Sequence, residues 1–155
     1  MDLQVKFPEG KFNCRVAGIC RKDGKVLLSK LKSDDYWTYV GGKAAFGEST
    51  GAAILREFQE ELGVRPEIDR LLAVIENFFR MDGEAWHQFL FLYLLADPTD
   101  QLKPRGQEQT VLDNPNTVYQ WFNASEIDSL AIKPACTKPI LKSLPEQILH
   151  IVNRD

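Results

Sequence analysis

Small and β-favouring residues dominate Phe12–Arg21, which predicts a strand. Lys22-Asp23-Gly24 is a turn signal, and Lys25–Leu31 resumes as a second strand, so the two form a hairpin. Ser33–Asp35 is polar and loop-like, and Tyr36–Val40 is a short aromatic strand that stops at Gly41-Gly42. Gly42–Gly47 reads as a loop. Ser49 is placed to cap a helix that Gly63 terminates, with Leu55, Phe58 and Leu62 as its core-facing stripe. Leu71–Phe79 and Trp86–Ala96 are antiparallel strands separated by Met81-Asp82-Gly83-Glu84. Asp97–Thr117 is a long polar segment with three prolines, a pattern usually functional or mobile. Val118–Phe122 is a further strand, and Ala124–Leu130 a short helix. Pro134–Val152 reads as one or two helices interrupted by Pro139 and Pro145. Strands, a helix, strands and then helices predict an α/β chain in which helices cover a mixed sheet. The expectation is a single domain over 1–155, with a core at about 12–132 and a short helical extension at 133–155.

Composition adds limits to this picture. A chain of 155 residues, 44% apolar and 26% charged, suffices for one core. The net charge of −3 argues against a general basic footprint, so no nucleic-acid polymer is expected as partner. Met1–Lys11 lacks the apolar stretch of a signal peptide. The longest apolar run, Phe89–Ala96, is too short to span a bilayer. These features predict a cytoplasmic protein without a membrane partner. Cys14, Cys20 and Cys136 match no metal-binding spacing and read as reduced thiols.

Candidate chemistry concentrates in the first helix. Glu57, Glu60 and Glu61 lie three and four residues apart and share one helical face. Like charges at those spacings weaken a helix unless something offsets them. A solvated acidic face with Arg56 paired to Glu60 is one answer. A hard divalent cation is the other, since magnesium takes oxygen ligands and shares them with substrate phosphates.

The residues around the glutamates favour the cation. From Gly42, five residues lead to Glu48, seven more to Arg56-Glu57-Phe58, and then follow Glu60-Glu61 and Gly63-Val64. This pattern resembles the Nudix hydrolase box, with every fixed position met. The resemblance implies an α/β/α sandwich and a divalent-metal-dependent hydrolase. It implies cleavage of the pyrophosphate linkage of a nucleoside triphosphate, nucleotide sugar or ADP-ribose by water attack at phosphorus. It further implies Glu57, Glu60 and Glu61 as ligands of Mg2+ (or Mn2+), Glu48 as a supporting ligand, and a homodimer as the assembly to test. Arg56 would hold the loop against the helix. Gly41, Gly42 and Lys43 would meet substrate. The base would be Glu57, Glu60 or a loop residue, for which Glu108 is the candidate.

Three positions depart from the family pattern. Val40 stands where many members have Pro, Ala45 where many have Glu, and His87-Gln88 where many have His-Glu. Gln88 cannot act as a base. A catalytically weak nucleotide-binding or regulatory module is therefore the competing reading. His87 itself reads as structural. Arg15, Arg21, Lys30 and Lys32 are candidates for phosphate, and Tyr36, Trp37, Phe78, Phe79 and Trp86 for stacking on a base.

Overall fold

The computed structural model describes Met1–Asp155. Nine strands and two helices run in the order β1 (Gln4–Phe7), β2 (Gly10–Lys22), β3 (Lys25–Leu31), β4 (Val40–Lys43), α1 (Thr50–Leu62), β5 (Glu67–Met81), β6 (Glu84–Ala96), β7 (Gln109–Thr110), β8 (Thr117–Asn123), α2 (Lys138–Lys142) and β9 (Leu149–Arg154). A 3-10 segment, Ala124–Ser129, follows β8, and a second, Ala135–Thr137, leads into α2. The strands form one mixed sheet in the order β7-β8-β3-β2-β6-β5-β9, with β1 and β4 also paired to β2.

The long strand β2 organises the sheet. It runs parallel to β6 from Lys11 to Cys20 and antiparallel to β4 from Arg15 to Gly18. Its last residues, Arg21 and Lys22, turn into β3. Asp23-Gly24 and Asp82-Gly83 both adopt positive φ, at 52° and 73° and at 53° and 79°. That geometry matches the twist of flanking antiparallel strands, so both Asp-Gly signals become tight hairpins.

Each face of the sheet carries its own core. On one, Ile54, Ala53 and Phe58 of α1 pack on Val16, Cys20, Leu27 and Leu95. On the other, Ile127, Ile140 and Leu141 cover Ala17, Ile19, Ile75 and Leu92. This is the expected α/β/α sandwich. The stripe of α1 centres on Ala53, Ile54 and Phe58, with Leu55 and Leu62 at its partly buried margins.

Several expectations need correction. Residues 36–39 contribute only isolated bridges, Ser29 to Thr38 and Trp37 to Ile132, and the strand begins at Val40 and runs through both glycines. The C-terminal segment is not a helical extension, since α2 has five residues and Leu149–Arg154 is a strand parallel to β5. Pro145 ends the helical pattern, and the alternation Leu149, Ile151, Asn153 then suits a strand. The segment 97–117 is also not structureless. Leu102 and Val111 are buried, Asp97 accepts from Lys22 at 2.8 Å, and the Leu112 amide donates to the Glu61 carbonyl at 2.8 Å. No helix is long and apolar enough to cross a membrane. Cys20 is buried, and Cys14 and Cys136 are partly so, all as free thiols.

Candidate active site

The glutamate-bearing helix is fixed at both ends. Ser49 Oγ accepts from the Ala52 amide at 3.1 Å, satisfying one donor of the first turn. Gly63 closes the last turn at φ 70°, its amide bonded to the Gln59 carbonyl. The packing of Phe58 and Ile54 into the sheet then sets which way the helix turns its carboxylates.

Arg56 gathers the entrance loop onto the helix. Its Nε and Nη2 donate to the two oxygens of Glu48 at 2.7 and 2.9 Å, and Nη2 also reaches the Lys43 carbonyl at 3.1 Å. Such two-pronged contact is the strongest pairing a carboxylate makes. It holds the Glu48 carboxyl below the usual range. The Ala45 amide donates to the same carboxylate at 3.0 Å. Both oxygens of Glu48 thus serve a loop–helix clamp, the role expected for its partner Arg56.

The other prong of Arg56 reaches the acidic face. Nη1 donates to Glu57 at 2.9 Å and to Glu60 at 3.2 Å. Glu57 is 13% exposed and Glu60 is 45% exposed. Burial pushes the Glu57 carboxyl up, against the pull of Arg56. Glu61 lies deeper. Burial, and then Glu57, push its carboxyl up to about 8, with Arg15 opposing. One Glu61 oxygen is buried with no hydrogen-bond partner.

No three acidic, histidine or cysteine side chains converge on one point. Arg56 draws Glu57 and Glu60 to itself, while Glu61 lies against the Gly41 amide of β4 and feels the charge of Arg15 on β2. The donor set nevertheless fits a hard cation. It consists of carboxylate oxygens on one helical face, one of them orphaned, two of them destabilised by burial as anions. The backbone leaves room as well. A Cβ on Gly42 would stand 2.4 Å from the Glu57 carboxylate.

The remaining candidates separate into those near the glutamates and those far from them. Arg15 is close enough to Glu61 and Glu57 to feel their charges. It pairs in register with Lys43 of β4. The Lys133 ammonium lies over the Tyr36 ring at 4.5 Å. Arg21 is exposed at the far end of β2, and Lys30 covers the Trp37 ring at 5.2 Å. Trp37 packs edge-on to Phe122 against the core. Phe78, Phe79 and Trp86 line a separate cleft of about 570 Å³ at the strand ends, where Arg154 covers Phe78 and Phe79 stacks on Trp86. His87 is exposed at the same cleft, with its ring against those of Phe12, Phe78 and Phe89. Gln88 is buried and accepts from Asn77 at 3.2 Å. Glu108 is exposed on its loop and forms no ion pair.

Two neighbours of the site escaped the sequence. Asp113 follows the Leu112 amide that binds the end of α1, and its charge acts on Glu61. Asn13 stands two residues before Arg15 on the same face of β2. Neither carries a local motif. Only the docking of the loop and the register of β2 reveal them.

The model of the NUDIX domain matches residues 13–144. The chain belongs to the Nudix family. Among its Nudix relatives is the human diphosphoinositol polyphosphate phosphohydrolase 2, 36% identical over 134 residues, a match covering 83% of this chain and 66% of that one. An RNA pyrophosphohydrolase of Aeromonas hydrophila is 34% identical over 62 residues, covering 40% of this chain and 35% of the relative. The chain thus spans about two thirds of the first relative and about one third of the second. A NUDIX hydrolase from Nitrosomonas europaea shares the fold at a TM-score of 0.60 and 21% identity, over 96% of this chain and 81% of that one.

Proposed function

We propose that this protein hydrolyses a phosphoanhydride in a nucleoside diphosphate derivative, with a divalent cation bound at Glu57, Glu60 and Glu61. The orphaned, buried oxygen of Glu61 carries this reading most directly. A solvated acidic helix would leave such an oxygen in water, and an unpaired buried acceptor is costly. The names of the two relatives, a phosphohydrolase and a pyrophosphohydrolase, agree with the reaction class. A cation held there would neutralise phosphate oxygens and lower the pKa of the attacking water.

The chain's own residues supply the rest. Arg15 and Lys43, facing one another across β2 and β4, offer positive charge to the diphosphate. Arg56 keeps the loop 43–48 against the helix, so Glu57 holds its place beside Gly42. Glu48 is a positioning residue through that clamp.

Proton removal falls to a carboxylate near the glutamates. Glu57 and Glu60 are already engaged by Arg56. Asp113 sits nearer to Glu61 electrostatically than the exposed Glu108, so Asp113 replaces Glu108 as the loop acid to test. Asp113→Asn is expected to lower kcat by about 100-fold, the scale of general base catalysis, and Glu108→Gln to leave it within about twofold. The reverse order would return Glu108 to that role.

The reaction itself is tested by supplying nucleoside triphosphates, nucleotide sugars and ADP-ribose with magnesium or manganese and following product. Turnover that stops on chelation supports the proposal. Tight binding without product across the panel would instead establish the regulatory module.

A further inference from the structure

One row of the sheet carries amides across five strands, from Gln4 of β1 to Asn153 of β9. Asn13 of β2 faces Gln88 of β6, Gln88 faces Asn77 of β5, and Asn77 faces Asn153 of β9. Asn13, Asn77 and Gln88 keep only 4%, 5% and 6% of their surface. Asn153 donates to Asn77 at 2.8 Å, and Asn77 donates to Gln88 at 3.2 Å. On its other side Asn13 stands in register with the exposed Gln4 of β1, and the Asn13 Oδ1 is buried with no partner. A native interior rarely leaves such an acceptor unmatched.

The position of the row suggests what would match it. Two residues further along β2, on the same face, stands Arg15 beside the glutamates. The row behind Arg15 is apolar, with Leu90, Ile75 and Ile151 in register. Two residues of a strand cover about 7 Å. A ligand whose phosphates meet Arg15 and Lys43 would therefore lay its next group against Asn13. That group meets neutral carboxamides with no cation among them, so the row does not suit a further phosphate. It suits a donor-bearing edge, and a carboxamide pairs with the adjacent donor and acceptor of a nucleobase.

We propose that Asn13, in register with the bonded series Gln88, Asn77 and Asn153, reads a hydrogen-bond donor on the base of the nucleotide substrate. The proposal rests on the hydrolase reading for its substrate but makes a claim of its own, that the base is sensed at this row. Gln88 then has a role that a glutamate in its place would alter, since a carboxylate cannot donate onward to Asn13 or ligand.

Kinetics and spectroscopy test it together. Hydrolysis is compared for ATP and inosine triphosphate, for GTP and inosine triphosphate, for CTP and UTP, and for ribose 5-triphosphate, which has no base. In one of these base pairs the native protein should favour the amine-bearing member about tenfold in kcat/KM, the scale of one matched polar contact. Asn13→Ala should abolish that preference by raising KM with kcat retained, and should leave ribose 5-triphosphate unchanged. Asn13→Asp, which keeps the acceptor, should restore it. An equal loss on every substrate, or a loss also on ribose 5-triphosphate, overturns the proposal. If Asn13→Ala fails to fold, or no compound is turned over, the side-chain amide resonances of Asn13 and Gln88 in the native protein decide. Shifts on adding a nucleoside monophosphate but not ribose 5-phosphate support base reading. Equal shifts with both, or none, overturn it. Absence of turnover alone sinks the hydrolase reading and leaves this second measurement intact.

Discussion

Glu57→Gln is expected to reduce metal-dependent product formation by at least about 100-fold while the protein stays folded. Glu57 is the most enclosed of the carboxylates Arg56 touches, at 13% exposure, and it lies against Gly42 at the floor of the entrance loop. The glutamine keeps the shape and one acceptor for Arg56 but removes the charge a cation needs. Burial already disfavours the charged form of this residue, so neutralising it should cost little stability. Stopped-time assays over a range of magnesium, with a thermal melt beside them, read both effects. Product formation near the native rate at saturating magnesium would remove Glu57 from the site. Glu60→Gln should act in the same direction, because the two share Arg56.

The adjacent glycines should fail in different ways. A Cβ on Gly41 would stand 2.0 Å from the Val16 carbonyl oxygen and 2.9 Å from the Ala17 Cα. Both belong to the backbone of β2, which cannot swing aside without breaking its pairing with β4. Gly41→Ala is therefore expected to destabilise the fold by about 1–3 kcal/mol, the usual range for overpacking. The three atoms nearest a Cβ on Gly42 all belong to the Glu57 carboxylate, the far end of a flexible side chain. Gly42→Ala should hold its denaturation midpoint but displace Glu57, lowering activity about tenfold or more. Denaturant melts and assays on the two variants separate these outcomes. A common loss of stability would show that Gly42 is structural too.

Much of this arrangement was legible from residue order, and the exceptions share a cause. The cap at Ser49, the stop at Gly63 and the two Asp-Gly hairpins depend on chemistry within a few residues, and each appears where the pattern placed it. The same holds for the glutamates, whose common face follows from helical spacing alone. Leu149–Arg154 was misread because a six-residue strand has little local signature, and its partner β5 lies some seventy residues earlier. Arg56 was expected to hold the loop to the helix, and does. That it also reaches Glu57 and Glu60 depends on side-chain reach in three dimensions. Asp113 and the amide row belong to the same class. Nothing near Asn13 announces Gln88 or Asn77, which become neighbours only once the strands are in register.

Strand β9 has a consequence for the edge of the sheet. Its six residues pair with Ala73–Phe78 of β5, a strand otherwise bonded only to β6. β9 is itself the short outer edge of the sheet; if the chain were cut before Leu149, that edge would become the fifteen-residue β5, a much longer line of free amide and carbonyl groups. Such an edge is a template for a strand from another molecule. A shortened form should then self-associate under conditions where the longer one stays monodisperse, with Val74, Ile75 and Phe78 at the junction.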